Sequence, residues 1–315
     1  MTTYSTASPA TAGARRHRIS KMARQENIAG WLMASPFVLG LLLWTLGPMF
    51  YSLYLSLTSW DLLSPAKWTG LDNYQKMLTN PLTWTALRVT TTYALGSIPL
   101  TMVLGLGLAL LLNSKVRGLS LWRSIYYLPA VLSGVAVSLL WQFIFSADFG
   151  VLNYLLSLIG IKGPRWLTSE TWALPALIIM SVWAVGADMV IYLAALQGVP
   201  TELYEAAEVD GANSARRFRH ITLPMISPVL FFQLVMGIIF ALQTFTQGFI
   251  MTGGGPNNAT LFYVLHLYRS AFQYFRMGYA STLAWLLFVY ILILTLLVFR
   301  SSALWVFYSG ELKGK

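Results

Sequence analysis

Six long stretches of this chain carry almost no charge, and this feature leaves very few folds open to it. Each stretch is close to or longer than the roughly twenty helical residues that cross the hydrocarbon of a bilayer. Overall, 57% of the residues are hydrophobic, only 10% are charged and the mean hydropathy is +0.62, which excludes an ordinary soluble domain. We therefore predict an all-α polytopic membrane protein. Its six transmembrane helices are expected at about residues 31–57, 85–112, 124–145, 173–196, 224–251 and 279–299.

We place the transmembrane domain at residues 29–306 and predict a tail on each side of it. Residues 1–28 begin with a stretch rich in Ser, Thr and Ala, which predicts disorder, and continue as a basic segment suited to anionic lipid headgroups. A signal peptide is the competing interpretation, but the first apolar run is too long for one and lacks a convincing cleavage site. Residues 307–315 are predicted to form a second cytoplasmic tail.

Lys and Arg predict the orientation. Of the 21 such residues, fourteen lie in the N-terminal tail, at 113–123, in the polar segment 201–223 and from Arg300 to the C-terminus. The other seven lie on the opposite side, in the longer connections or, for Arg88, near the outer end of a run. Because cytoplasmic loops carry the excess of Lys and Arg, both termini are predicted to be cytoplasmic. The net charge of +10 does not indicate a nucleic-acid partner, since the basic residues lie at the ends of apolar runs and not on one face.

Residue types that carry catalysis are sparse. The chain has no Cys, so it has no disulfide, no thiolate nucleophile and no cysteine metal site. Its three His residues are far apart in the sequence, and HExxH, P-loop and GxSxG motifs are missing. We predict no catalytic residue, no metal and no cofactor. The energy for any transport must then come from a partner or a gradient.

The polar segment between the fourth and fifth apolar runs has the pattern of a helical hairpin. Thr201 is predicted to cap a first helix, which ends at Gly211 because glycine readily adopts the left-handed backbone. Asn213 or Ser214 is predicted to cap a second, short helix. Pro224 then opens the fifth apolar run, where a proline costs no hydrogen bond. The second helix is expected to carry three basic residues in its last turn, namely Arg216, Arg217 and Arg219.

Seven residues of this hairpin form a pattern with defined spacings: Glu205, Ala206, Ala207, Gly211, Ile221, Leu223 and Pro224. At these positions the hairpin resembles the EAA signature of ABC importer permeases. The resemblance implies that these residues, together with Asp210, form a coupling helix that docks on a cytoplasmic ATPase. The alternative is a surface loop of a membrane protein that happens to be rich in Glu and Arg.

The resemblance covers nearly the whole chain from about residue 30, and it is to carbohydrate-type permeases, similar to those for maltose and glycerol phosphate. It implies a multi-pass subunit of a bacterial or archaeal inner membrane that pairs with a second permease, two cytoplasmic ATPase subunits and an extracellular solute-binding protein. The ATPases would hydrolyse ATP, so this chain is predicted not to be an enzyme. The segment 251–260 resembles a turn of sugar-type permeases, and the stretch after it is predicted to form an amphipathic outer element.

Polar residues inside the apolar runs are candidates for the solute path. Asp188 is the only acidic residue within a run, and it either lines the path, where it would bind substrate hydroxyls, or packs against a polar group of a neighbouring subunit. A proton-coupling role is disfavoured because no second carboxylate or His accompanies Asp188. Trp183 is either a stacking platform for a sugar or a packing aromatic.

The later half of the fifth run holds a second group of candidates. Gln243 and Gln247 are four residues apart and share one face of the expected helix, beside Thr244 and with Phe240 one turn earlier. Amides and hydroxyls next to an aromatic ring suit a sugar, which presents hydroxyls around apolar C–H faces. The alternative is a set of interhelical hydrogen bonds that only hold the bundle together.

Three alternative functions stay open at this stage. A gradient-driven secondary transporter would need paired ionisable groups inside the membrane and inverted repeats, whereas the sequence has one acid and no clear repeat. A membrane enzyme would need clustered His, Asp or Glu at a membrane face. A glycerol-phosphate permease would need cationic side chains in the path, and no Lys or Arg lies deep in any run.

Overall fold

The computed structural model describes residues 21–114 and 118–307. The predictions for residues 1–20 and 308–315 of the two tails, and for Lys115 and Arg117, lie outside the described residues. Contacts divide the chain into two units, one ending at Ser52 and one beginning at Leu53. The structure is built almost entirely from helices, as the apolar runs predict.

The first unit holds most of one long helical segment, whose residues 53–56 belong to the second unit. Helix α1 is Lys21–Gly40, a π-helical turn covers Leu41–Leu46, and α2 is Gly47–Ser56. The wide turn precedes Pro48, whose ring and missing N–H disrupt regular α-helical hydrogen bonding. In the most apolar 18-residue window of this segment, no residue is buried within the chain.

The second unit contains the remaining elements. A short antiparallel pair, β1 (Thr58–Ser59) and β2 (Lys67–Trp68), is in register Thr58 with Trp68. The helices that follow have these bounds: α3 Asp72–Thr79, α4 Pro81–Leu112, α5 Leu119–Val131, α6 Gly134–Ile144, α7 Val151–Leu158, α8 Ala173–Ser181, α9 Gly186–Gln197, α10 Thr201–Val209, α11 Ser214–Arg217, α12 Leu223–Leu242, α13 Tyr263–Tyr268 and α14 Met277–Trp305. A 3-10 turn covers Val182–Ala184, and π-helical turns cover Phe218–Thr222, Gly248–Thr252 and Arg269–Gln273.

Four described helices are long and apolar enough to cross a membrane, or six if each of two bent pairs counts as one span. The second and sixth predicted spans correspond to the single helices α4 and α14. The fourth is a bent pair, because the segment Ala173–Ala184 meets α9 at 48°.

The third predicted span, 124–145, is wrong as a single helix. Helices α5 and α6 meet at 99°, and Leu132 between them is extended (φ −74°, ψ 144°). Pro129 lies inside α5 and removes a backbone donor near its end. The Ser133 hydroxyl then accepts the N–H of Ala136 at 3.3 Å and starts α6 in a new direction.

The fifth predicted span, 224–251, is shifted along the chain. Helices α11 and α12, with the π turn between them, form one continuous helix from Ser214 to Leu242. Residues 243–245 are not helical. The helix tolerates Pro228 because the Ser227 hydroxyl donates to the carbonyl of Pro224 at 2.6 Å, the group that the missing N–H of Pro228 leaves unpaired.

The core of the second unit is organised around α4. This helix packs against α8, α9, α12 and α13, and its buried Tyr93 meets Phe262 edge-on at 5.1 Å between ring centroids. Small residues allow the closest approaches: a Cβ at Gly105 would lie 3.2 Å from the Cβ of Asp188 on α9. In lipid, where packing replaces the hydrophobic drive, such contacts hold helices together.

Candidate functional site: a helical hairpin and a polar cavity

The first arm of the hairpin is α10, and it ends as predicted at Gly211. This glycine is left-handed (φ +75°), and two hydrogen bonds close the turn: the N–H of Gly211 to Glu208 O at 3.0 Å and the N–H of Ala212 to Ala207 O at 2.8 Å. This pair of hydrogen bonds is the Schellman motif of helix C-termini. The prediction for Thr201 was wrong: Pro200 occupies the capping position, and Thr201 is the first helical residue without a capping hydrogen bond.

The second arm differs from the prediction in length. The side chain of Asn213 caps it by accepting the N–H of Arg216 at 2.9 Å, as one of the two alternatives predicted. The helix then continues into α12, so Arg216, Arg217 and Arg219 lie near its beginning and not in the last turn of a short helix. Arg217 pairs with Glu208 across the hairpin at 3.1 Å, which offsets part of the unfavourable placement of cations at a helix N-terminus.

The eight residues of the predicted docking set divide into two groups. Glu205, Ala206, Asp210 and Gly211 are exposed, and Ala207 is partly exposed. Ile221, Leu223 and Pro224 are half-buried at the base, where Ile221 packs against the core cluster of α4 and α9. A hydrogen bond of 2.9 Å between the hydroxyls of Tyr204 and Thr222 also joins the two arms.

The exposed turn of the hairpin combines acidic and apolar side chains. Val209 is 89% exposed and Leu203 is 42% exposed, while Glu205 and Asp210 take part in no ion pair among the described residues. An apolar side chain left almost wholly in solvent next to unpaired carboxylates has the composition of a contact surface for another protein.

A cavity of about 610 Å³ lies between α4, α9 and α12. Four of the residues predicted for the solute path line it: Asp188, Phe240, Thr244 and Gln247. Five polar side chains that sequence reasoning missed also line it, namely Tyr93, Ser97, Thr101, Ser181 and Gln233. The cavity size suits a small ligand, and its mixture of aromatic, apolar and hydrogen-bonding groups is typical of ligand sites.

Trp183 and Gln243 lie outside this cavity. Trp183 lines an adjoining cavity of about 160 Å³, which shares Gln247 and Tyr93 with the larger one, and it packs edge-on against Trp141 at 5.7 Å. Gln243 lines neither cavity and is exposed. Because α12 ends at Leu242, Gln243 and Gln247 do not share one helix face, so that part of the sequence prediction was wrong.

Asp188 has its hydrogen-bond partner within the chain. The amide of Gln233 donates to its Oδ1 at 2.8 Å, and Gln233 itself is buried. This pairing joins α9 to α12 beside the cavity. The sequence signal for Gln233 was an amide in the middle of a strongly apolar run, where polar side chains face partners or cavities. Its pairing with Asp188 had no such signal, because the two residues are 45 positions apart and no local pattern connects them.

The glycine-rich segment after the fifth run forms the non-helical turn that was expected. Gly253 and Gly254 have positive φ angles of 54° and 84°, and the guanidinium of Arg269 donates to the carbonyl of Gly253. The stretch that follows was predicted to form an amphipathic outer element, and its first part is a short helix. This helix is α13, which is largely buried and is tied to α4 by a hydrogen bond of 2.8 Å from the N–H of Tyr263 to Thr90 Oγ1.

In the described part of the chain, no three His, Asp or Glu side chains lie close enough together to hold a metal ion. The chemistry that the cavity offers is therefore that of hydrogen bonding, aromatic contact and one carboxylate.

Comparisons with known proteins agree on one family. The chain is 44% identical over 304 residues, covering 95% of it and 98% of the relative, to a probable ABC transporter permease of Bacillus subtilis, YesP. It is 32% identical to the trehalose/maltose permease MalF of Thermococcus litoralis, covering 89% and 96% of the two chains. A solved bacterial ABC transporter that imports the acidic polysaccharide alginate superposes with a TM-score of 0.77 at 26% identity, covering 90% and 99%. Residues 97–306 match the family described as binding-protein-dependent transport system inner membrane component, and the chain belongs to this family.

Proposed function

We propose that this chain is one permease subunit of an ATP-driven importer, and that it passes a sugar or sugar-like solute through the cavity between α4, α9 and α12. The observation that carries the proposal is the continuous helix Ser214–Leu242. Its first residues belong to the exposed hairpin, and its later residues Phe232, Gln233 and Phe240 line the cavity. At 1.5 Å per residue it is about 43 Å long, so a movement at the hairpin is transmitted directly to the cavity.

The docking role belongs to the turn of the hairpin. Glu205, Ala206, Ala207, Asp210 and Gly211 form the contact surface for a cytoplasmic ATPase subunit. The base residues Ile221, Leu223 and Pro224 act indirectly, because they are packed into the body and hold the hairpin to it. The ATPases hydrolyse ATP and this chain does not, while a second permease completes the cavity and an extracellular binding protein delivers the solute.

The sugar class is supported by the cavity and by the relatives. Phe240 is 66% exposed and offers a ring face to the C–H surface of a sugar, next to hydrogen-bonding groups on Thr244 and Gln247. Relatives named for their solutes include a lactose permease of Rhizobium radiobacter and the trehalose/maltose permease already described. In this arrangement Asp188 and Gln247 bind solute hydroxyls, and Trp183 and Gln243 stand beside the path.

The orientation follows from this assignment. The hairpin and both termini lie in the cytoplasm, and the glycine-rich turn at 253–254 lies outside, near the binding protein. The chain is then a multi-pass protein of a bacterial or archaeal inner membrane, and the family is described as an inner membrane component.

Two alternatives are less well supported. A glycerol-phosphate solute needs cationic groups, and none of the described residues that line the cavity is Lys or Arg. A gradient-driven transporter needs paired ionisable groups, and Asp188 is accompanied there by no second acid or His among the described residues.

The test is a charge reversal on the hairpin. In Glu205→Lys, we expect the amount of ATPase subunit that co-purifies with the chain to fall roughly tenfold or more, because a central interface charge is inverted. ATP hydrolysis by the complex should cease to respond to the loaded binding protein. Gly211→Pro should act in the same direction, since it destroys the left-handed turn, while both variants still insert into the membrane.

Glu170→Lys is the matched control, because Glu170 is an exposed acid in the connection before α8. It should co-purify with wild-type amounts of ATPase. Wild-type coupling in Glu205→Lys would show that the hairpin is not the docking site, and a wild-type chain that recruits no ATPase would remove the proposed function itself.

A further inference from the structure

The cavity between α4, α9 and α12 contains a single charged side chain among its described lining residues. Asp188 is that residue, and the rest of the lining is apolar, aromatic, hydroxyl or amide. The chain thus contributes a negative charge to the solute path with no Lys, Arg or His in the described lining to neutralise it.

The carboxylate is held in place from two sides. Gln233, which is 8% exposed, donates to Oδ1 at 2.8 Å. On the backbone side, α4 lies so close at Gly105 that a Cβ there would be 3.2 Å from the Cβ of Asp188. The second carboxylate oxygen has no hydrogen-bond partner among the residues that the structure describes, and the half-buried side chain borders the cavity.

From this arrangement we infer that Asp188 selects solutes by charge: it makes the cavity unfavourable to anionic sugars such as uronates, and Gln233 is the positioning residue that keeps its carboxylate at the cavity wall. The inference rests on the proposed function, whose solute class it narrows to neutral or cationic sugars. The free oxygen accepts a hydrogen bond from a hydroxyl or an ammonium group but repels a second carboxylate.

The size of the effect follows from Coulomb's law. At a separation of about 7 Å and an effective dielectric constant of about 20, repulsion between two unit charges reduces occupancy roughly 10- to 100-fold. Among the solved structures similar to this chain is an importer of an acidic polysaccharide. On this inference the present chain differs from that importer in the charge of the solute that it admits.

The natural absence of Cys allows a direct measurement of the cavity potential. Thr101 lines the cavity one helical turn before Gly105, and therefore on the face of α4 that meets Asp188. In the assembled complex, the Thr101→Cys variant is reacted with a cationic and an anionic methanethiosulfonate of similar size. The ratio of the two rates is normalised to that of a small thiol in free solution, and modification is read on this chain.

We expect the normalised ratio to favour the cationic reagent by roughly tenfold or more, and the isosteric change Asp188→Asn to abolish that preference. Gln233→Leu should reduce the preference partly, because the carboxylate is retained but no longer oriented. Gln75→Cys is the control: Gln75 is exposed on α3, outside the cavity, so Asp188→Asn should leave its ratio unchanged.

If Asp188→Asn fails to assemble, the ratio measured in Thr101→Cys with Asp188 unchanged decides the question alone. A ratio near that of the free thiol would overturn the inference, since a proton or a cation of the second permease would then neutralise Asp188. If Thr101→Cys is unreactive, Thr244→Cys replaces it, and failure of both thiols to react would also overturn the inference, because a cavity that admits neither reagent cannot select solutes by charge at Asp188. Because the measurement needs no transported solute, its failure is distinct from failure of the proposed function.

Discussion

At the scale of single residues, Gln247 and Gln243 have similar local surroundings in sequence and different ones in space. Both are amides near the end of the fifth apolar run, but only Gln247 lines the cavity, where it borders both the larger and the smaller volume. Gln243 follows the last residue of α12 and is exposed. The two residues therefore form a matched pair for separating solute contact from general polarity.

We expect Gln247→Ala to raise the KM for uptake of the transported sugar about tenfold, the loss that follows from one hydrogen bond worth about 1.4 kcal/mol. Gln243→Ala should leave KM within about twofold. Initial rates of uptake into vesicles, with equal amounts of assembled complex, provide the measurement. An effect of Gln243→Ala equal to that of Gln247→Ala would show that the cavity described here is not the solute path.

At the scale of helices, one glycine determines how α5 crosses α9. A Cβ at Gly186 would overlap the backbone carbonyl of Tyr126, whereas a Cβ at Gly107, on α4, would have no heavy atom within 4 Å. Backbone atoms cannot turn aside as a flexible side chain can. The first position thus requires glycine, and the second does not.

Gly186→Ala should therefore destabilise the protein by about 3 kcal/mol, the upper part of the usual range for overpacking. Gly107→Ala should be neutral or stabilising by up to about 1 kcal/mol, because alanine loses less backbone entropy in a helix. Thermal unfolding of the solubilised complex compares the two. Equal midpoints for both variants would contradict the close crossing of α5 and α9.

Some of these helices and helix ends could be predicted from the sequence, and others could not. The helix end at Gly211 was predictable, since the turn needs a left-handed backbone and glycine supplies it locally. The apolar runs likewise predicted most of the long helices. The break after Leu242 was not predictable, because residues 243–245 differ little in polarity from helical residues elsewhere. The pairing of Asp188 with Gln233 also depends on which helix faces meet, and periodicity within one run does not report that.

At the scale of the second unit, the helix Ser214–Leu242 joins two sites of different character. Its beginning carries the hairpin, with exposed carboxylates and an almost fully exposed Val209. Its later part lines a cavity of about 610 Å³. A connection of this kind can link a cytoplasmic ATPase to the cavity only if the hairpin faces the cytoplasm, so the topology can be tested independently of any solute.

Labelling single cysteines in the naturally cysteine-free chain tests that topology. Ser214 and Glu170 are both exposed, the first in the hairpin and the second in the connection before α8. We expect Glu170→Cys to react with a membrane-impermeant maleimide in intact spheroplasts, and Ser214→Cys to react only after permeabilisation, since the excess of Lys and Arg predicts a cytoplasmic hairpin. The unaltered chain controls for background. Reaction of Ser214→Cys in sealed spheroplasts would place the hairpin outside, where no ATPase subunit can reach it.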